Sequence, residues 1–222
     1  MRDFFRNNGL TITLMALFAF SIVGHSLAGW REYDDDQREH GQAAVGYSGY
    51  LTTGAFVESV FENWESEFLQ MGVYVVLTAF LFQKGSAESK DPDSDAEPVD
   101  EDPNQARGKP DAPGPVHRGG LLLGAYQNSL ALALFALFAV SFVLHAAGGA
   151  REYSEEQQAH GGEAVSLLGY LGTARFWFES FQNWQSEFLS IAVIVVLSIF
   201  LRERGSPESK PVASPHSKTG DE

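Results

Sequence analysis

Four of the six histidines fall into two matched pairs, and these are the first residues whose types and spacing could do chemistry. His25 and His145 are each the single ionisable side chain of a long apolar stretch, and two opposed imidazoles between helices can axially ligate a haem or share a metal. His40 and His160 form the second pair, with Glu32, Glu39 and Glu152 in the same loops, and could make an outward-facing metal or proton-sensing cluster. Glu67 and Glu187, each within Asn-Trp-x-Ser-Glu-Phe, open an apolar stretch and could relay protons or cations with the histidines. Each candidate also has a plainer explanation. A histidine near a helix end hydrogen-bonds a neighbouring helix or interfacial water. Asn63 and Asn183, with Ser66 and Ser186, read as helix caps beside the glutamates. Arg31 and Glu32 read as snorkelling and loop pairing. No cofactor is specified by these residues alone.

The pairs exist because the chain matches itself at an offset of 120 residues, from about Asn8 to Lys90, with roughly half the positions identical. Arg31-Glu32-Tyr33 and His40-Gly41 return as Arg151-Glu152-Tyr153 and His160-Gly161. Gly85-Ser86 with Glu88-Ser89-Lys90 returns as Gly205-Ser206 with Glu208-Ser209-Lys210. A tandem duplication follows, with repeats at 1–90 and 120–210. Recurrence fixes the register between the copies and leaves open which matched residues are used.

The elements that must carry these residues are membrane spans. Leu10 to Trp30 and Leu130 to Ala150 contain no Asp, Glu, Lys or Arg, and about 20 such residues match a hydrocarbon core of roughly 30 Å. Phe68 to Phe82 and Phe188 to Leu201 are shorter, but starting them one turn earlier at Trp64 and Trp184 restores a spanning length. The expected fold is all-α: a four-span bundle built from two two-helix units. Arg2 and Arg6 before an apolar core, with Ser26-Leu27-Ala28 after it, resemble a signal peptide. The matching internal segment of the second copy argues for retention of the first helix.

Of the 15 basic residues, only Arg31, Arg38, Arg151 and Arg175 fall between the spans of one repeat. Positive charge stays on the cytoplasmic side, so both termini and the linker are expected there, in an inner membrane. Each outer loop then carries an amphipathic pattern. Tyr47, Tyr50, Leu51, Val57, Val60, Phe61, Trp64 and Phe68 lie on one face, with Glu58, Glu62 and Glu65 mostly on the other. The pattern predicts either a helix lying on or dipping into the outer interface before it turns into the second span, or one whose aromatic face packs on the bundle. The acidic, Pro-containing linker at 91–119 and the tail at 211–222 have almost nothing apolar to bury and read as disordered. His117 and His216 belong to these polar flanks and are assigned no role.

The net charge of −14 argues against nucleic acid as a partner, and the absence of cysteine excludes disulfides and thiol chemistry. The lipid bilayer, other membrane proteins or a second copy remain as partners. Gly46-Tyr47-Ser48-Gly49-Tyr50 is no nucleophile elbow, because Tyr50 occupies the place of the last glycine. No phosphate-binding glycine loop, dinucleotide fingerprint or His-Glu-x-x-His occurs.

Gly29-Trp30-Arg31-Glu32-Tyr33, His40-Gly41 and the run Asn63 to Met71 resemble a family of small bacterial membrane proteins known only as a domain of unknown function. The second copy departs from the first at Ala150 for Trp30 and at Gln185 for Glu65. The resemblance implies an integral protein of a bacterial inner membrane and supplies no activity, ligand or catalytic residue. The sequence favours a non-enzymatic structural or accessory membrane component. Its rival is a small cofactor, metal or proton-relay protein using the paired histidines. The nearly charge-free spans weigh against a transporter.

Overall fold

A computed structural model describes residues 2–94 and 97–220; Asp95, one of the linker acids, lies outside them. The first helix, α1, runs unbroken from Arg2–Glu39, well beyond its apolar stretch. Asp3 in its first turn and Arg38 in its last both suit the helix dipole, and Arg38 pairs with Asp34 at 2.6 Å. A single turn, α2 (Tyr47–Tyr50), leads into the long α3 (Gly54–Phe80). After the linker come α4 (Gly114–Arg118), α5 (Gly120–Gln127) and α6 (Ser129–Ala159). The short α7 (Leu167–Leu171) and long α8 (Ala174–Phe200) complete the order.

Each His-Gly pair ends a helix. Gly41 and Gly161 take φ of 70° and 78°, a left-handed conformation that glycine adopts without a side-chain penalty. Gln42 N–H then reaches back to Gln37 O at 2.8 Å, and Gly162 N–H reaches Gln157 O at 2.8 Å. These bonds satisfy carbonyls that a helix end otherwise leaves open.

The structure differs from the predicted interfacial helix. Residues 57–68 form the first part of α3 with no turn before the apolar part, so one continuous helix of 27 residues replaces a surface helix followed by a span. The stretch contains no glycine or proline to break it. The break falls earlier, at 51–53 and 172–173. The caps lie there too: Thr53 Oγ1 accepts Phe56 N–H at 3.2 Å and Thr173 Oγ1 accepts Phe176 N–H at 3.3 Å. Ser66 and Ser186, expected as caps, sit inside their helices and donate back to the Asn63 and Asn183 carbonyls at 2.8 Å.

Among the described residues three helices are long and apolar enough to cross a membrane: Asp3–Glu39, Ser129–Ala159 and Ala174–Phe200. Helix α3 equals α8 in length but carries Glu58, Glu62, Glu65 and Glu67 in its first half, where α8 has Arg175, Glu179 and Glu187. The apolar half of α3 also carries Gln70, Gly72, Tyr74 and Ala79 where α8 has Ser190, Ala192, Ile194 and Ile199, which makes α3 the less apolar of the two.

The chain forms two compact units, Met1–Phe61 with Val143–Phe176 and Glu62–Phe142 with Trp177–Glu222. In the first unit, Tyr50 lies on Gly29 and Tyr170 on Gly149. A Cβ there would stand 2.3 Å and 2.5 Å from the respective phenol oxygens. Helices α3 and α6 cross backbone to backbone in the same unit: a Cβ on Gly54 would lie 2.7 Å from Gly148 O, and one on Gly148 would lie 2.5 Å from Glu58 N. In the second unit Gly72 of α3 packs on the Phe135 ring of α6.

Within the linker at 91–119 the described residues form local turns and the short helix α4. Short 3-10 turns at Pro98–Asp100 and Pro103–Ala106 are closed by side chains a few residues away, such as Asp102 on Asn104 N–H at 2.9 Å. Over 211–220, where composition predicts disorder, the chain instead lies against Gly85 and Ser86, with Gly220 N–H on Ser86 O at 2.9 Å. The cause is electrostatic rather than apolar: the tail's carbonyls surround the buried Lys210 ammonium.

Candidate functional site

Within the first unit the two membrane histidines have unlike surroundings. His25 is exposed on α1, its Nε2 3.0 Å from Ser59 Oγ and its ring 6.1 Å from that of Phe56. His145 on α6 is completely buried, with its ring 4.9 Å from Phe176. Each ring is thus engaged locally. A carboxylate oxygen of Glu58 lies within 4.8 Å of a His145 ring nitrogen. Tyr170 OH, also fully buried, donates to Glu58 Oε1 at 2.8 Å. A phenol, a carboxylate and an imidazole so placed in low dielectric can hold or pass a proton, since every bond among them is strengthened by the absence of water. The Gly54–Gly148 crossing sets this geometry, because it fixes the backbone of Glu58 against α6.

His40 and His160 line one cavity of about 570 Å³ in this unit, together with Asp36, Glu152, Glu155, Glu156 and Arg175. Their rings are taken up by helix ends: His40 Nδ1 donates to Asp36 O and His160 Nδ1 to Glu156 O, both at 2.9 Å. The bond to the Asp36 carbonyl, and then the Asp36 carboxylate, hold the His40 imidazole above its ordinary range. Glu152 receives Ala55 N–H at 3.1 Å, which caps the first turn of α3. Glu156 is ion-paired with Arg175, and Glu155 with Arg151 at 3.1 Å. Glu32 lines a different cavity, of about 490 Å³, with His25 and Ser59. Among the described residues, His40, His160, Glu32 and Glu152 do not bring three ligand atoms within 4.8 Å of one another.

The second unit holds a ladder of polar contacts between α3 and α8. Glu62 Oε1 accepts from Asn183 Nδ2 at 2.5 Å, and Trp184 Nε1 donates to Glu65 Oε1 at 3.1 Å. Gln70 Nε2 donates to Glu187 O at 2.6 Å and Ser190 Oγ at 3.0 Å. Tyr74 OH, further along α3, donates to Glu88 Oε2 at 2.9 Å. Glu65 is completely buried and Ser66 and Gln70 nearly so. Of the acids expected to act as a relay, Glu67 is exposed and Glu187 half-buried.

Sequence reasoning therefore chose the recurring acid and missed Glu65, as it placed Glu58 on the solvated face. The signal that could have found them is the mismatch between copies. Glu58, Glu62, Glu65, Gln70 and Tyr74 correspond to Phe178, Gln182, Gln185, Ser190 and Ile194, while the second copy has its own acid at Glu179, opposite Ser59, which clusters with Glu58 and His145.

No curated protein and no solved structure matches this chain. The family described as Domain of unknown function (DUF6766) matches residues 1–221, and the chain belongs to that family.

Proposed function

We propose that this is a proton-relay protein of the cell's inner membrane, with α3 as the helix that carries the proton. The four long helices all span in this reading. They form two like-oriented hairpins from a tandem duplication, with termini and linker on the cytoplasmic side because Lys and Arg concentrate there. The single observation that carries the activity is Glu65, a carboxylate with no exposed surface in the middle of a long helix.

A carboxylate with no exposed surface, one residue into the span that begins at Trp64, is costly to bury unless it is paired or neutral, and an acid kept there is a functional-site candidate. Adhesion between helices does not require that cost. A glutamine, as at the matched position 185, offers donors and an acceptor without a charge. Glu58 with Tyr170, Glu62 with Asn183 and Tyr74 with Glu88 supply further groups on the same helix that exchange protons or orient acceptors.

The alternative is the structural or accessory role favoured by the sequence, and the Gln70 bonds to Glu187 O and Ser190 support it as interhelical adhesion. Purified protein in liposomes loaded with a pH-sensitive dye separates the two. Under an imposed pH gradient with potassium and valinomycin, the full chain should speed proton equilibration over empty vesicles, and Glu65→Gln should abolish the increase. Vesicles containing the full chain that equilibrate no faster than empty ones would leave the adhesive role.

A further inference from the structure

The recurring Gly-Ser-x-Glu-Ser-Lys ending builds the same local loop twice. Gly85 and Gly205 take φ of 90° and 89°. Ser89 Oγ accepts Gln83 N–H at 2.8 Å, and Ser209 Oγ accepts Glu203 N–H at 2.9 Å. Ser86 Oγ and Ser206 Oγ accept Glu88 N–H and Glu208 N–H, both at 3.1 Å. The lysine that closes each motif is used in two ways. Lys90 is partly exposed, pairs with Asp100 at 2.8 Å and lies over the Phe82 ring. Lys210 is 1% exposed.

The Lys210 ammonium sits among four backbone carbonyls. It donates to Gly85 O at 2.5 Å and Lys218 O at 2.8 Å, with His216 O at 3.1 Å and Pro215 O at 3.4 Å. Three of these oxygens belong to the C-terminal segment and one to the loop that follows α3. An ammonium has three protons to place and is costly to bury, so this cradle satisfies a group that would otherwise draw the segment into water. Two more bonds join the same partners: Gly85 N–H to Thr219 Oγ1 and Gly220 N–H to Ser86 O, both 2.9 Å. Beneath them Ser86 Oγ meets Ser198 Oγ of α8 at 2.8 Å, and Ser198 Oγ also receives Ala87 N–H at 3.2 Å.

We infer that residues 211–220 are a releasable strap, keyed by the Lys210 ammonium, that closes the C-terminal ends of α3 and α8 over the Ser86–Ser198 contact. The strap has almost no apolar hold. Its attachment is polar: besides the Lys210 cradle, Arg202 Nη2 donates to Ser214 O at 3.2 Å and His216 Nδ1 to Ile199 O at 3.1 Å, and a segment held by such bonds opens as a unit more readily than a packed core. Its opening would uncover Ser86 and Ser198. The inference does not depend on proton relay; where both hold, the strap governs access to the Tyr74–Glu88 pair at that end of α3.

The test uses the full chain in detergent and in liposomes. Hydrogen exchange in peptides covering 83–90 and 211–220 should rise at least ten-fold in both segments together in Lys210→Gln, with the rest of α3 and α8 unchanged. Because the native chain has no cysteine, Ser86→Cys gives a second reading. Its reaction with a membrane-impermeant maleimide should be at least ten-fold faster when Lys210→Gln or Thr219→Ala is added, so the result does not rest on a truncated protein. Exchange that rises in the tail alone, or a Ser86→Cys reaction rate that neither substitution changes, would overturn the strap.

Discussion

The crossing of α3 and α6 at Gly54 and Gly148 yields a prediction whose sign is opposite to that of a matched control. In Gly148→Ala the new Cβ would fall 2.5 Å from Glu58 N and 3.0 Å from Glu58 Cα. Both are backbone atoms and cannot rotate away, so the helices must separate. Overpacking of this kind costs about 1–3 kcal/mol, while alanine in a helix interior returns about 1 kcal/mol relative to glycine. The net effect is destabilising by up to about 2 kcal/mol.

Gly24→Ala in α1 has nothing within 4 Å of its new Cβ and keeps the propensity gain alone, so it should stabilise by about 0.5–1 kcal/mol. At about 2–4 °C per kcal/mol for a chain of this size, the two midpoints should separate by several degrees in opposite directions from the parent. Thermal unfolding in detergent, followed by helical circular dichroism, reads the difference. A Gly148→Ala protein that gains stability as Gly24→Ala does would refute the close crossing, and with it the geometry that brings Glu58 beside Tyr170.

Two further outcomes follow from the helix ends. Thr53→Ala removes the hydroxyl that accepts Phe56 N–H and should cost about 1 kcal/mol, whereas Ser66→Ala, whose hydroxyl only returns to a carbonyl of its own helix, should change stability by less than about 0.5 kcal/mol. Equal losses in chemical or thermal denaturation would return the cap to the Asn-Trp-x-Ser motif. His40 is held above its ordinary range, so its bond to Asp36 contributes stability in full below the unfolded-state pKa and loses it as pH rises through the folded one. An NMR titration of His40 should move to lower pH in Asp36→Asn and stay in place in Asp93→Asn.

Much of the helical layout could be read from composition and spacing because lipid leaves the backbone few choices. The apolar stretches at 10–30 and 130–150 became the interiors of α1 and α6, and the His-Gly pairs became their ends. Reading left two alternatives open at 57–68. There an amphipathic pattern marks only which face is covered, and the same pattern suits a helix on a membrane surface or one packed against another helix. Breakers would have decided between them. Thr53 and Gly54 fall inside the pattern, between Leu51 and Val57, so the break comes there and the helix runs on from Gly54 into the apolar part. The tail was illegible for a different reason. Its hold is a set of backbone carbonyls, which every residue possesses and no composition reveals.

The chemistry was harder to read than the fold because the chain's match to itself at 120 residues draws attention to what recurs. Recurrence selected His40 and His160, which end helices, and Glu67, which is exposed. Two buried acids, by contrast, lie where the copies part: Glu58 stands against Phe178 and Glu65 against Gln185. In a duplicated hairpin one copy can keep the neutral contacts that hold the bundle while the other acquires a costly charge. Even the recurring His145 gains its setting from this divergence, since Glu58 comes from the first repeat and Tyr170 from the second. If α3 is the working helix, Glu65→Gln makes it resemble α8 and should stop proton movement, and the reciprocal Gln185→Glu should leave the rate of the parent unchanged. A loss of equal size from both substitutions would mean that the copies work symmetrically and that divergence is no guide to the site.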